Sequence, residues 1–584
     1  MDFQEGKGFQ IRDYGILALA AFLCFLAVFH GGYPIGDDYK NQIIGFEAFR
    51  EQINQGELYP RWLNNINHGF GGANLFFYPP LVYYVEYGIG LIYPAQTTSI
   101  LCVSALLFLL LSGLTCRLWL SSFCSRRGAL AGAILYMAAP YHLFVDMYER
   151  NNGAEFAVYV WVPLLFYLVQ TPKNETSRLA RSAKIGLVYA AFLLTHLPSA
   201  VFITPFAGLW GLGYRFIHHD EPRRGLGRLM VFESVFLVFS FALGLLVCGL
   251  YLVPALTLLD TVRSYVLWGG PFYDYKLWFI GHQNQCPGPY KAYCSLLFIV
   301  AAGAILPGVV CFSLFYERLE TTQKRIFIFL FILSVLCLFL MTPFASFIWY
   351  FAVPLQKIQF PYRLMILMDL FCAAFAGFIF SRSQNQKAKM VNFAAQGGVL
   401  AVFAVISFFT ARYVIQSWHP EMPFFEYRIE HRILTGEFMP KNEEMTVNIN
   451  DFVEKTPPQP LWRTEGPEAK ISLQSQAPRN LTFKIQAGEP TVFILRQFRF
   501  AGWQAFLTRE NGEHTPIQIK AIEPYGQVSV SLPKGTYDLH FLIPLLWQEK
   551  VGAYMSIAGL ILICGLFVLS ILRHRTETQN EKTP

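Results

Sequence analysis

The sequence predicts a polytopic α-helical membrane protein with a small extracytoplasmic β-sandwich-like domain ahead of its last span. Three observations carry this. Of 584 residues, 54% are hydrophobic, 16% aromatic and only 15% charged, an apolar excess beyond what a soluble core needs. Apolar runs close to the ~20 residues that cross ~30 Å of hydrocarbon recur along the chain, separated by short basic segments. Between residues 411 and 546 the texture changes, with prolines, charges and short alternating runs in place of the apolar blocks.

The candidate spans are approximately 14–30, 97–120, 129–146, 154–170, 184–197, 198–214, 229–258, 293–315, 326–343, 363–380, 391–410 and 549–571, about twelve in all. The stretch 184–214 is too long for one span and short for two; it reads as two short helices or a re-entrant pair turning at Thr195-His196-Leu197-Pro198. Basic residues set the orientation. Arg126 and Arg127, then Lys173, Arg178, Arg181 and Lys184, then Arg215, Arg223, Arg224 and Arg228, then Arg318, Lys324 and Arg325, and finally Arg382, Lys387 and Lys389 fall on one side, which is therefore the cytoplasm. The acid-rich segment 31–96 and the polar stretch 411–546 then face outward, and both termini lie inside. This asymmetry accounts for the net charge of +7 without a nucleic-acid partner. The first span has a basic lead-in, Lys7 and Arg12, but no small-residue cleavage site, and reads as an uncleaved anchor. The organisation is thus a multi-span domain over 1–410 with a large outer loop 31–96, a β domain over 411–546, and a final span with a cytoplasmic tail over 547–584.

Within the β domain, "TVFILRQFRF", "WQAFLTRENGEHTPIQIKAI" and "QVSVSLPKGTYDLHFLI" read as strands, with hairpin turns at Asn511-Gly512 and Pro533-Lys534-Gly535. The outer loop "GELYPRWLNNINHGFGGANLFFYPPLVYYVEYGIGLIY" is dense in rings that prefer the water–lipid boundary. Pro79 and Pro80 suit a helix first turn, predicting a helix over 80–93 that lies flat on the membrane. Most of the eleven cysteines fall in spans as small apolar fillers. Cys286 and Cys294 instead bracket "CPGPYKAYC" on the outer side, where oxidising conditions permit a disulfide; the alternative is a free Cys294 at a helix start.

The chemistry points to "GGYPIGDDYK", where Asp37 and Asp38 follow the first span. A lone Asp there caps a helix or solvates a loop. Of two neighbours, one can stay ionised as a base while the other orients a group or holds a metal. Companion groups share that side: Arg61, His68 and Tyr78 in the same loop, Glu149, Arg150 and Glu155 in "DMYERNNGAE", His196 at a later turn, and Gln359 and Arg363 in "KIQFPYR". Arg and His there suit a phosphate, whereas singly each reads as a snorkelling or loop residue. "HGFGG" lacks the Lys-Ser/Thr of a phosphate loop and reads as a tight turn. Glu233 and Asp369 fall inside spans, where ionisable groups face the bundle interior and pair or act; Asp369 is the local support for a lipid or solute transporter. No His-x-Glu-x-x-His, Cys-x-x-Cys or Gly-x-Ser-x-Gly pattern occurs. The cofactor stays open, a divalent cation being compatible with the acid pair.

Taken together, the acid after the first span, "GELYPRW", "GFGGANLFFYPPLVYY", "APYHLFVDMYERNNGAEFAVYVWVPLL", "THLPSA" and "IQFPYR" resemble the bacterial membrane proteins labelled 6-pyruvoyl-tetrahydropterin synthase-related, a label that does not denote pterin chemistry here. The module running from "FRFAGWQAFL" to "VSLPKGTYDLHFLIP" resembles the outer domain of YfhO-like proteins. Both groups look like C-type (GT-C) glycosyltransferases, in which an acid of the first outer loop acts as base or orients the acceptor. Here that acid matches Asp37 or Asp38, with Asp37 taken first although the residues do not order the pair. The resemblance implies transfer of a sugar from a polyprenyl-phosphate donor to a glycan, lipid or protein acceptor, at the outer face of the bacterial cytoplasmic membrane. On chemical grounds Arg150 and Arg363 are the candidates to grip the donor phosphate. The rival classes are a lipid or solute transporter and a non-catalytic membrane assembly protein.

Overall fold

A computed structural model describes residues 10–170, 177–219, 225–282, 285–287, 290–381, 386–417, 431–434, 436–441 and 443–580. Lys7, Lys173, Arg223, Arg224 and Arg382 lie outside these residues. Among the described residues, nine helices are long and apolar enough to cross a membrane: Thr97–Leu120, Arg126–Glu149, Leu197–Ile217, Leu226–Val247, Lys291–Phe315, Thr321–Leu340, Pro361–Phe380, Phe393–Tyr413 and Trp547–Arg573. In lipid every backbone N–H and C=O must pair within the chain, so apolar runs of this length fold as helices.

Four of the expected spans differ, one of them being 229–258, which divides at Cys248 into Leu226–Val247 and Gly249–Thr257. The stretch 14–30 divides at Phe25 into Ile11–Cys24 and Leu26–Gly31. The stretch 154–170 is the 17-residue helix Gly153–Val169, about 25 Å long at 1.5 Å per residue. It is buried along most of its length, and a helix wrapped in protein need not match the bilayer. The stretch 184–197 is the later part of Arg178–Leu193, which has 16 residues and begins on basic side chains. The segment 184–214 therefore holds two separate helices, and Pro198 sits in the first turn of the second, where its missing N–H costs nothing. The expected 129–146 span ends in a π-helix, Tyr141–Glu149, a wide turn that recurs at functional sites.

Two clusters of charge pair at the end of the bundle that carries the basic loops. Asp13 accepts from Arg117 at 2.5 Å and from Arg126 at 2.7 Å, and Glu233 accepts from Arg181 at 2.9 Å. At the other end lies the first outer loop, with its predicted helix realised as Leu81–Ile92; Leu91 and Ile92 are exposed. Cys286 is bonded to Cys294, with Cα atoms 6.9 Å apart.

Among the described residues the β domain has nine strands: β1 Trp462–Glu465, β2 Ala469–Ala477, β3 Asn480–Ala487, β4 Thr491–Phe498, β5 Gln504–Thr508, β6 His514–Ile517, β7 Ile519–Ile522, β8 Gln527–Leu532 and β9 Gly535–Leu542. They form two antiparallel sheets, β1-β4-β8-β7 and β2-β3-β9-β5-β6. Phe493 of one sheet packs between Phe483 and Phe541 of the other. Asn511-Gly512 does lie in the β5–β6 hairpin loop. Pro533-Lys534-Gly535 does not close a hairpin: β8 pairs with β4 and β7, β9 with β3 and β5, so this turn passes the chain between sheets. Alternation tells which face of a strand is buried and is silent on which neighbour it pairs with. The sandwich also begins later than residue 411, since the preceding helix runs on to Ser417.

The domain rests on the first outer loop. Trp62 Nε1 donates to Gln497 Oε1 (2.8 Å), Gln497 Nε2 donates to the Gly69 carbonyl (2.8 Å), and the Phe498 N–H donates to the Phe70 carbonyl (2.7 Å). Below it, the last helix packs on Gly249–Thr257 through facing glycines; a Cβ on Gly552 would stand on the Gly249 carbonyl, the close backbone approach that small residues allow between membrane helices.

Candidate functional site

The two acids are placed by backbone hooks. The Asp37 N–H donates to the Glu149 carbonyl (3.0 Å) and the Asp38 N–H to the Arg150 carbonyl (2.8 Å), while Asn151, at φ +51°, donates its amide to the Pro34 carbonyl (2.9 Å). Gly36 lets the two strands of chain come this close. A Cβ there would lie 2.6 Å from the Glu149 carbonyl oxygen and 2.8 Å from Asn151 Cβ, so only glycine fits. The acid pair and Arg150 are thereby held on one wall of a cavity of about 880 Å³.

Asp37, Asp38, Tyr78, Arg150, His196, Gln359 and Arg363 line that cavity together. Much of the remaining wall is aromatic, including Tyr83, Tyr251, Trp268, Tyr273, Trp278, Tyr290 and Tyr362. Glu155 lies behind the wall. Its Oε2 accepts from Arg150 Nη1 at 2.8 Å and from Arg363 Nε at 2.9 Å, and its Oε1 accepts from the Tyr141 hydroxyl at 3.0 Å. Arg150 Nη1 also donates to Asp146 Oδ1 at 2.9 Å, and Arg363 Nη1 to the Ile358 carbonyl at 2.7 Å. Gln359, at φ +64°, accepts from Arg363 and donates to the Leu267 carbonyl at 2.9 Å. Two guanidiniums are thus fixed in place by buried carboxylates before any ligand arrives, which is how preorganised anion sites avoid reorganisation. Asp146 was not singled out in the sequence, although it stands four residues ahead of Arg150, a spacing that brings an acid and an arginine together on a helix.

The two acids differ. Asp38 Oδ1 accepts from Asn41 (3.3 Å) and Oδ2 from Asn152 (3.2 Å). Enclosure in protein raises its carboxyl, with Arg150 and the Asn41 hydrogen bond pulling the other way. The Asp37 carboxylate opens into the cavity, and no hydrogen-bond donor reaches it among the described residues. Although open to the cavity, it is surrounded by protein, which pushes it up to about 7; the negative charges of Asp38 and Glu149 add to this and Arg150 and Lys40 oppose it. A carboxyl raised in the folded state binds more protons there than in the unfolded chain, so it lowers stability progressively as pH rises from the ordinary carboxylate range through about 7. Asp37→Asn should therefore unfold at a higher temperature than the parent at pH 8, with the advantage shrinking toward pH 5. Equal midpoints at both pH values would contradict this environment for Asp37.

Two expected site residues lie elsewhere. Arg61 is buried beneath the β domain. Its Nη2 donates to the Leu250 carbonyl (2.5 Å), its Nε stands 3.5 Å from Glu549, and its guanidinium covers the Tyr59 ring at 3.8 Å. Together with the Arg479–Glu549 pair at 3.0 Å it ties the outer loop to the last helix. His68, at φ +58°, packs against His431 (4.9 Å) and Phe452 (5.4 Å) where the loop meets the β domain. Shared sidedness put both on the outer face, and their neighbours there are the β domain and last helix rather than the cavity. Glu149 acts on Asp37 from outside the cavity lining, by charge and through its carbonyl. His196 pairs with Ser199 Oγ at 2.7 Å. Asp369 accepts from the Tyr159 hydroxyl (2.9 Å) and borders a separate apolar cavity of about 430 Å³.

Among the described residues no group of three or more His, Cys, Asp or Glu is arranged to hold a metal ion. Glu155 and Asp146 are engaged by arginines, and the carboxylates that line the cavity are Asp37, Asp38 and Glu437.

No family model matches the chain, and no curated protein matches it; the family resemblances rest on the motifs alone. Among solved structures, the chain is similar to the oligosaccharyltransferase AglB from Archaeoglobus fulgidus, in complex with an inhibitory peptide and a dolichol-phosphate (12% identity, 74% of this chain and 61% of that one, TM-score 0.44). It is also similar to ArnT from Cupriavidus metallidurans bound to undecaprenyl phosphate (14% identity, 72% and 69%, TM-score 0.40) and to the arabinofuranosyltransferase AftD from Mycobacteria (14% identity, 73% and 29%, TM-score 0.42). The chain thus spans about three fifths of the first of these and under a third of the last.

Proposed function

We propose that this chain is a GT-C-like membrane glycosyltransferase that moves a sugar from a polyprenyl-phosphate donor to a glycan, lipid or protein acceptor on the outer face of the bacterial cytoplasmic membrane. The observation that carries the reading is one cavity holding two adjacent carboxylates with two arginines locked by Glu155. A phosphate-linked sugar needs a base for the acceptor's proton and cations for the departing phosphate. Asp38 is the better-oriented base, since two side-chain amides hold it and the charges of Arg150 and Arg363 favour its ionised, proton-accepting form. As the acceptor oxygen bonds to the anomeric carbon, its proton passes to Asp38. The bond from that carbon to the phosphate oxygen breaks with its electron pair, leaving polyprenyl phosphate against Arg150 and Arg363. Asp37 lines the same cavity beside Asp38.

The arginines give the experiment. Losing a charge-assisted hydrogen bond to phosphate costs about tenfold to hundredfold in affinity, and lysine lacks the planar fork that contacts Glu155 and phosphate together. Arg150→Lys and Arg363→Lys should each weaken binding of undecaprenyl phosphate to the purified chain by about that factor; unchanged affinity in both would remove the donor site. Orientation is tested separately. Reporter fusions after Thr171, Arg224 and Gln384 should be cytoplasmic and one near Gly512 outside, and a cytoplasmic signal at Gly512 would overturn the topology.

A further inference from the structure

Glu437 is an acid that the reaction above leaves without a role. It sits on the short turn Gly436–Phe438, between the membrane bundle and the sandwich. The turn is anchored by Phe438, whose ring stacks on Phe77 at 5.1 Å and meets Tyr78 edge-on at 5.4 Å. The segment is held from below as well, where the Leu434 N–H donates to Asn67 Oδ1 at 3.2 Å. Glu437 lines the same cavity as Asp38 and is only 7% exposed. The turn thus brings a carboxylate from outside the sandwich to the cavity wall.

Tyr78 and Tyr273 also line the cavity. For each phenol the strongest charge interaction is with Glu437 and the next is with Asp38. Both rings therefore stand within charge range of both carboxylates on the wall of one cavity. Burial raises both phenols and the carboxylates raise them further, so they stay protonated and can donate. A carboxylate with two acceptor oxygens, two phenol hydroxyls and the faces of the rings match a ligand with several hydroxyl donors and an apolar C–H face. Once Arg150 and Arg363 hold the donor phosphate, an acidic group on the sugar beside Tyr78 and Tyr273 would set its charge against Glu437 and Asp38, a like-charge juxtaposition that discriminates strongly.

We infer that Glu437, Tyr78 and Tyr273 form the subsite that takes the hydroxyl groups of the transferred sugar, and that this sugar is a neutral one rather than a uronic acid. The inference rests on the donor reading above. It is tested on the full chain in nanodiscs by measuring affinity for undecaprenyl phosphate, for its glucose, mannose and galactose derivatives, and for its galacturonic acid derivative. At least one neutral-sugar lipid should bind about tenfold tighter than the bare lipid, the size expected for hydrogen bonds to a charged group. The galacturonate lipid should show no such gain. Glu437→Ala and Tyr273→Phe should abolish the gain while leaving the affinity for bare undecaprenyl phosphate unchanged, which a merely structural role would not do. If Glu437→Ala fails to fold, Glu437→Gln decides the matter, because an amide keeps one acceptor oxygen and should lose most of the gain. A gain that survives in the Glu437 variants, an equal gain for galacturonate, or no gain for any neutral sugar would overturn the inference while sparing the donor reading. Failure of the parent chain to bind bare undecaprenyl phosphate would remove both.

Discussion

Asp38→Asn should lower sugar transfer by about 10²–10⁴-fold, the contribution of a positioned general base. The substitution keeps the shape and removes the basicity, and the backbone hook from the Asp38 N–H to the Arg150 carbonyl does not depend on the side chain. Folding and undecaprenyl phosphate binding should therefore persist, and the loss should fall on turnover. The neighbouring Asp37→Asn should cost less, because no donor orients the Asp37 carboxylate among the described residues and it carries a proton about half the time near pH 7. A larger loss at Asp37 than at Asp38, measured as turnover at saturating donor, would reverse the assignment of the base.

The second large effect is on stability. Glu155 is fully buried and holds Arg150 and Arg363 at 2.8 and 2.9 Å. Removing one partner of a buried ion pair strands the other charge, at about 3–5 kcal/mol. Glu155→Ala should lose about that much in an unfolding titration. Arg150 keeps Asp146 in the variant, whereas Arg363 keeps only neutral acceptors. Adding Arg363→Met should therefore recover part of the loss, a coupling that independent sites would not show. Equal stability of single and double variants would mean that Arg363 is not stranded when Glu155 is removed.

Much of the membrane architecture was legible because lipid imposes one requirement, an apolar helix of sufficient length. The reading failed where a helix is surrounded by protein, as at Gly153–Val169, or breaks locally, as at Phe25. The acid pair was legible as two carboxylates beside a span. Its meeting with Arg150 depends on Gly36 and the left-handed Asn151, a tertiary hook that no periodicity announces. Arg61 and His68 show the limit of arguing from a shared side, since the side of the bundle that holds the acid pair also carries the β domain and both residues serve that contact. Glu437 was overlooked for the opposite reason. It belongs by position to the polar stretch read as β domain, yet its turn reaches back to the cavity. In the sandwich, the strands from β4 onward followed from alternation and β1 to β3 were not singled out, whereas the change of sheet at Pro533-Lys534-Gly535 is a choice of partner that side-chain pattern does not encode.

The central claim is that Asp37 and Asp38 serve sugar transfer from a lipid-linked donor. The most direct measurement is the lipid and glycan profile of a strain lacking this chain, complemented with the parent or with the Asp37→Asn, Asp38→Asn double variant at equal membrane abundance. The account predicts that the deletion strain accumulates a polyprenyl-phosphate sugar and loses one glycan feature, that the parent restores both, and that the double variant restores neither. Full restoration by the double variant would contradict the account and leave a transporter or an assembly protein, neither of which needs the two carboxylates.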